Sequence, residues 1–151
     1  MAETEFEILG DPMGKGRPKF RSVGKYVQTY TPKETMSYES KVIFSYKTSK
    51  NPIYFETKEL EVDIIAYFKL QKSHYGKKGI NKSGIEKLTG IVNPTSKPDC
   101  DNIAKIVLDA LNGIAYHDDS QITKLNVLKR YSETPRVWVR IRERNSTNGK
   151  E

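Results

Sequence analysis

Residues 99–113 read Asp99-Cys100-Asp101-Asn102-Ile103-Ala104-Lys105-Ile106-Val107-Leu108-Asp109-Ala110-Leu111-Asn112-Gly113, and their periodicity decides the fold. Ile103, Ile106, Val107, Ala110 and Leu111 recur at i, i+3, i+4, i+7 and i+8, the apolar stripe of a helix lying on a core. Gly113 stands where a left-handed C-terminal cap belongs. Upstream the period changes to two. Within residues 61–70, Val62, Ile64, Ala66, Phe68 and Leu70 share one face while Ile65 and Tyr67 occupy the other, which predicts a long central strand. Downstream, residues 121–131 and 136–144 read as two more strands separated by Ser132-Glu133-Thr134-Pro135.

Nearer the N-terminus, residues 4–9 alternate as a half-buried strand and Gly10-Asp11-Pro12 ends it. A short strand is expected at 26–29. Thr31-Pro32-Lys33-Glu34 then combines an N-cap threonine, a proline at the first helical position and a glutamate closing a capping box, so a helix is expected over 32–50, stopped by Asn51-Pro52. Residues 71–96 are rich in glycine and lysine and show little periodicity beyond a short helical piece at 83–88; a loop this long is functional or mobile. The order β-β-α-β-α-β-β predicts an α+β fold, a single domain over residues 1–144 with a mixed sheet and two main helices packed on one face. Residues 145–151 read as a disordered tail.

Composition narrows the class. A chain of 151 residues buries roughly 68–70% of its unfolded surface and folds without disulfides or structural metal. One cysteine, Cys100, excludes an internal disulfide framework and any multi-cysteine metal site. The opening residues carry acids where a secretory signal carries positive charge, and nowhere do 18 successive apolar residues occur. The expectation is a soluble, cytoplasmic protein with no membrane partner.

Lys and Arg number 26 against 19 Asp and Glu, a formal charge of +7. The placement of that charge matters more than its sum. Lys15, Arg17, Lys19, Arg21 and Lys25 form one cluster; Lys69, Lys72, Lys77, Lys78, Lys82 and Lys87 form another; Arg136, Arg140, Arg142 and Arg144 lie in the last strand. The first two fall in Gly- and Pro-containing stretches and read either as loops gripping a polyanion, which releases condensed counterions, or as solvated surface. Phe20, inside the first cluster, has two readings as well: a packing residue, or a wedge between base pairs.

In this basic chain four aspartates gather around one helix, Asp99 and Asp101 at its start and Asp118 and Asp119 beyond its end. If the chain is extended at 99–101, both carboxylates point the same way and Cys100 points to the core. Converging carboxylates repel one another and imply a bound cation or a shared proton. Carboxylates suit a hard cation such as Mg2+, with Mn2+ a further option. An acidic, metal-holding centre within a basic surface is the layout of a phosphodiesterase, in which metal polarises the phosphoryl oxygen, generates hydroxide and stabilises the leaving oxygen. Lys105, one turn after Asp101, has the spacing of a surface ion pair and equally of a group that neutralises a phosphate oxygen. The structural readings stand beside these: Asp99 or Asp101 as an N-cap, Asp118-Asp119 as a turn, His117 as a loop residue, Asp109 as a solvated or interface carboxylate. Two look-alikes are excluded. The Asp-x-Asp here follows Thr95-Ser96-Lys97-Pro98 rather than a hydrophobic strand, and Gly14-Lys15-Gly16 lacks the Gly-Lys-Ser/Thr ending of a phosphate-binding loop.

Three spaced blocks, Lys97-Pro98-Asp99-Cys100-Asp101-Asn102-Ile103-Ala104-Lys105, Asp109-Ala110-Leu111-Asn112-Gly113 and Asp118-Asp119-Ser120-Gln121-Ile122, resemble the signature of the RusA family of Holliday junction resolvases. The close likeness spans residues 97–122; elsewhere it is looser, an N-terminal strand and a basic loop at Gly16-Arg17-Pro18-Lys19. The resemblance implies an Mg2+-dependent endodeoxyribonuclease of bacteria or phage-infected cells that acts as a homodimer on four-way DNA junctions. By position it implies Asp99, Asp101 and Asp119 as metal-binding catalytic aspartates, Asp118 as an accessory metal carboxylate and Lys105 as the catalytic lysine. Lys15, Arg17, Lys19, Arg21, Lys72, Lys77, Lys78 and Lys82 are then the expected DNA-backbone contacts. The rival readings are a nuclease for flaps, forks or RNA, and an inactive or non-enzymatic basic DNA-binding protein.

Overall fold

A computed structural model describes residues 1–144 of the chain; the expected tail at 145–151 lies outside the described residues. A four-stranded sheet forms the scaffold. Its strands are β1 (Glu3–Leu9), β4 (Leu60–Lys69), β7 (Ile122–Ser132) and β8 (Arg136–Glu143), in the spatial order β1-β8-β4-β7. β4 and β7 run parallel and the other neighbours antiparallel, so the sheet is mixed. Between β1 and β4 lie a separate two-stranded ribbon, β2 (Lys19–Val23) with β3 (Tyr26–Tyr30), and helix α1 (Lys33–Lys47). Between β4 and β7 come the short pair β5 (Tyr75–Gly76) and β6 (Gly79–Ile80), helix α2 (Lys82–Leu88) and helix α3 (Cys100–Ala110). The fold is α+β, with α1 and α3 as its main helices.

Alternation builds the core. Phe6 and Ile8 of β1, Val62, Ile64 and Ala66 of β4, and Val137, Val139 and Ile141 of β8 are buried on one face of the sheet. Against them pack Tyr38, Val42 and Tyr46 of α1 and Ile103, Ile106 and Val107 of α3, on the stripe that the sequence periodicity predicts. Phe6 meets Tyr46 edge to face at 5.1 Å between ring centres. β4, flanked on both sides, is central as expected.

The opposite face carries no main helix. Its rows combine charge pairing with apolar contact: Arg142 with Glu61 at 2.6 Å, Arg140 with Asp63 at 2.8 Å, and a row of Trp138, Ile65 and Leu128 across three strands. Arg136 lies 4.0 Å from the centre of the Tyr67 ring and 3.4 Å from Glu7. These three arginines of the last strand are therefore engaged within the fold.

Three local expectations are corrected. Helix α1 begins at Lys33, with Pro32 at the N-cap and no side-chain cap bond, so the capping box of Thr31 and Glu34 does not form. The φ of −55° at Pro32 would suit a helix, but its ψ of 144° lies outside the helical region, so Pro32 takes the N-cap position and the helix starts one residue later than expected. Cys100 is exposed at the first turn of α3 and not turned into the core, because helix and not extended chain begins there. The 71–96 stretch is largely structured: His74 is buried, its Nδ1 accepting from the Gln71 amide at 3.0 Å, and Asn81 caps α2. Among the described residues no helix is long and apolar enough to cross a membrane.

Candidate active site

Asp99 occupies the N-cap position of α3 in an extended conformation, yet its side chain accepts no capping hydrogen bond. Asp101 lies in the first turn, exposed. The helix N-terminus, with its unpaired amides, favours negative charge at both positions. Their carboxylates are accordingly open to solvent rather than consumed by the backbone.

The return segment is pinned beneath the helix. Tyr116 is fully buried and its hydroxyl donates to the Leu108 carbonyl at 2.7 Å. Burial, reinforced by the charges of Asp119, Asp109 and Asp118, raises its pKa, so it stays a neutral donor. Gly113, at φ +75°, makes the reversal that L-residues resist. Its amide donates to the Tyr116 carbonyl at 2.8 Å. The Asn112 side chain then accepts from the Asp119 amide at 2.9 Å, and the His117 amide donates to Glu56 at 3.0 Å.

These bonds bring Asp119 alongside α3, next to Asp109 and Lys105. Burial, a hydrogen bond with Asp109 and the charges of Asp118 and Asp109 raise the Asp119 pKa; the charge of Lys105 opposes them. Asp118 behaves differently. Its carboxylate accepts from the Ser120 amide at 3.0 Å, caps the 3-10 turn Asp119–Gln121 and is held below the usual carboxylate range chiefly by Ser120. The turn reading describes its present bonding.

Lys105 is exposed and pairs with Asp109 at 3.6 Å, one turn onward, and not with Asp101 one turn back. Asp109 also meets Lys15 at 3.6 Å, and Lys15 meets Glu39 of α1 at 2.9 Å. Lys15 is thus mostly covered and bonded within the protein. Arg17, Lys19, Arg21, Lys72, Lys77, Lys78 and Lys82 are exposed. Sequence reasoning missed the part of Asp109, the carboxylate shared by both lysines; the Lys105–Asp109 spacing of four was the readable signal. Beside the Lys97-Pro98 segment opens a cleft of about 260 Å3 whose lining includes Lys69, Lys97, Phe68 and Tyr131.

Among the described residues, no three His, Cys, Asp or Glu side chains stand together as a group able to hold a metal ion. The donor chemistry nonetheless fits a hard divalent cation. Asp99 and Asp101 offer carboxylate oxygens that no capping bond has taken, and Asp119 is crowded by like charge that a cation would relieve.

The comparisons with known proteins bear on the whole chain. Residues 10–142 match the family described as Endodeoxyribonuclease RusA. An uncharacterized protein, YqaN, of Bacillus subtilis (strain 168) is 37% identical over 139 residues, covering 92% of this chain and 95% of that protein. The match takes in three of the four sheet strands, both main helices and the aspartates at 99, 101, 118 and 119, and the chain belongs to the RusA family of endodeoxyribonucleases.

Proposed function

We propose that the protein is a homodimeric, Mg2+-dependent, structure-selective endodeoxyribonuclease that resolves four-way DNA junctions by paired symmetric nicks. The carrying observation is the bonding of Asp99: an aspartate at an N-cap ordinarily accepts from the helix amides, and here it does not. Asp99, Asp101 and Asp119 would hold the cation, with Asp118 accessory to them and Mn2+ a substitute for Mg2+. A bound divalent cation supplies Lewis acidity at the phosphoryl oxygen and lowers the pKa of a water.

The protein's own groups do the rest. Lys105, held by a 3.6 Å ion pair to Asp109 on an exposed stem, can turn to a non-bridging phosphate oxygen as charge develops there. Asp109 keeps it within reach of Asp119. Arg17, Lys19, Arg21 and the lysines at 72, 77, 78 and 82 meet backbone phosphates, so shape and phosphate position select the substrate more than base edges do. In-line attack by water leaves 5′-phosphate and 3′-hydroxyl ends.

A junction of two-fold symmetry is matched by two copies of one site. The sheet face opposite α1 and α3, with its Trp138–Ile65–Leu128 row between neutralised rungs, supports pairing of two copies there. Such an enzyme works where the chromosome is, in the cytoplasm of a bacterial or phage-infected cell.

The test is cleavage of an end-labelled synthetic four-way junction beside a linear duplex of the same arms, in Mg2+ and in EDTA. Symmetric nicks in the junction alone, abolished by EDTA, are expected. Tight junction binding that ignores Mg2+ and yields no nicks would displace this reading in favour of a DNA-binding protein with structural aspartates.

A further inference from the structure

From Pro12 to Lys33 the chain contains no acidic residue, while Lys15, Arg17, Lys19, Arg21, Lys25 and Lys33 fall within that span. Its middle folds as the β2–β3 ribbon, turned at Gly24 with φ +60°. Every one of the ribbon's strand residues is exposed, the large apolar ones included: Phe20 at 70%, Val27 at 69% and Tyr26 at 79%. The packing reading of Phe20 fails within this chain. A lone two-stranded ribbon is marginal in water, so a surface of this kind is completed by a partner.

Register sorts the side chains. Lys19, Arg21 and Val23 share one face with Tyr30, Gln28 and Tyr26; Arg21 donates to Gln28 at 3.1 Å and lies 5.6 Å from the centre of the Tyr30 ring. The other face carries Phe20 and Val27, diagonal neighbours beside Ser22 and Thr29. The root of the ribbon is set against the acidic helix. The Lys15 amide donates to the Asn102 carbonyl at 3.2 Å, and at Gly14 a Cβ would come within 3.1 Å of both Asn102 and Pro98. Each five-residue strand extends roughly 17 Å from that root.

We propose that this ribbon is the element that distinguishes branched from continuous DNA, and the proposal rests on the junction-nuclease reading given above. Arg17, Lys19, Arg21 and Lys25 engage phosphates near the branch, while Phe20 and Val27 pack on base faces that open where duplex arms part. Charge selects this occupant: an acid-free cationic ribbon suits a polyanion and repels its own copy. Apolar contact narrows it further. Bases of a continuous duplex are stacked shut, so the Phe20–Val27 face finds an apolar partner only where stacking is broken. Placement beside Pro98 and Asn102 puts that contact within one ribbon length of Asp99 and Asp101.

The test uses the full chain in EDTA with a four-way junction carrying 2-aminopurine at the branch, beside a linear duplex of the same arms. Threonine keeps strand propensity, so Phe20→Thr/Val27→Thr preserves the ribbon; circular dichroism and sedimentation check fold and assembly. The wild type is expected to raise branch fluorescence on binding. In the double variant that rise disappears and the preference for junction over duplex falls roughly ten-fold, with duplex affinity unchanged. Unchanged fluorescence and preference in the double variant would overturn the proposal while leaving the nuclease reading intact. A shift in sedimentation with the branch signal preserved would overturn it too, making the ribbon a contact between copies. A wild-type protein that binds neither DNA would overturn both.

Discussion

Asp119 sits where burial, a hydrogen bond with Asp109 and the charge of Asp118 raise its pKa, and Lys105 offsets them only in part. A carboxyl whose folded pKa lies above its unfolded value of about 3.9 lowers stability as pH rises through the folded pKa, because the folded state binds more protons in that window. Asp119→Asn is therefore expected to raise the metal-free melting temperature at pH 7 by roughly 1 °C, since the site is partly exposed and screened. At pH 3 the gain should vanish. The same substitution is expected to retain junction binding and to lower cleavage on the order of 10²–10³-fold, the scale of losing one charge-stabilising group; unchanged cleavage would remove Asp119 from the site. Tyr38 makes a separate case. Its hydroxyl is buried with no hydrogen-bond partner among the described residues, and burial raises its pKa. Tyr38→Phe removes that orphaned group and is expected to leave stability unchanged or higher by about 1 kcal/mol in urea unfolding.

Among the elements, α3 and β4 are legible because each writes a strict period on a contiguous segment. α3 reads at 3.6 residues and all its aliphatic positions are buried; Ile106→Ala should cost about 2–5 kcal/mol by urea unfolding. The start of α1 is less legible, since Thr31 and Glu34 have the chemistry of a capping box but the N-cap position falls one residue later, on Pro32. The β2–β3 ribbon is half legible, as one strand of two. Its residues carry no burial alternation, the main signal a strand writes in sequence. On the sheet, burial pushes the Asp63 carboxyl up, and hydrogen bonds from Arg140 and Asn126 with the charges of Arg140 and Arg142 overcome it and leave the pKa lowered. That stability is present above about pH 4 and lost as pH falls through the folded pKa. Asp63→Asn should cost about 1–2 kcal/mol at pH 7, and the difference from wild type should close at pH 2 in acid melts.

Across the molecule, a formal charge of +7 does not spread evenly. Arg136, Arg140 and Arg142 of β8 are matched on the sheet by Glu7, Asp63 and Glu61, and Lys15 by Glu39 and Asp109. Exposed cations remain on the ribbon and on the segment from Lys72 to Lys82. Salt titration of junction binding separates the two groups. Arg17→Ala or Lys19→Ala should flatten the slope of log affinity against log salt by roughly 0.9 for each phosphate no longer neutralised. Lys15→Met should leave the slope unchanged and instead lower stability, because it takes the cation from Glu39 and leaves Asp109 to Lys105. Equal slopes for all three variants would contradict this division.

The sequence by itself determined the elements that bury a periodic face, the α+β class, and the family, through three blocks of aspartate, lysine and glycine spaced on one helix and its return. Periodicity and spacing are local, and residues within a few positions constrain one another directly. Tertiary structure alone decided which charges are paired within the fold and which are available. Lys15 and Arg17 are two residues apart in the same basic stretch, yet one is covered between two helices and the other is exposed. It likewise joined Lys15 to Asp109 and brought Asp119 alongside Asp109. Those outcomes depend on which elements pack side by side, and the strength of a charge pair depends on distance and burial that no linear spacing records.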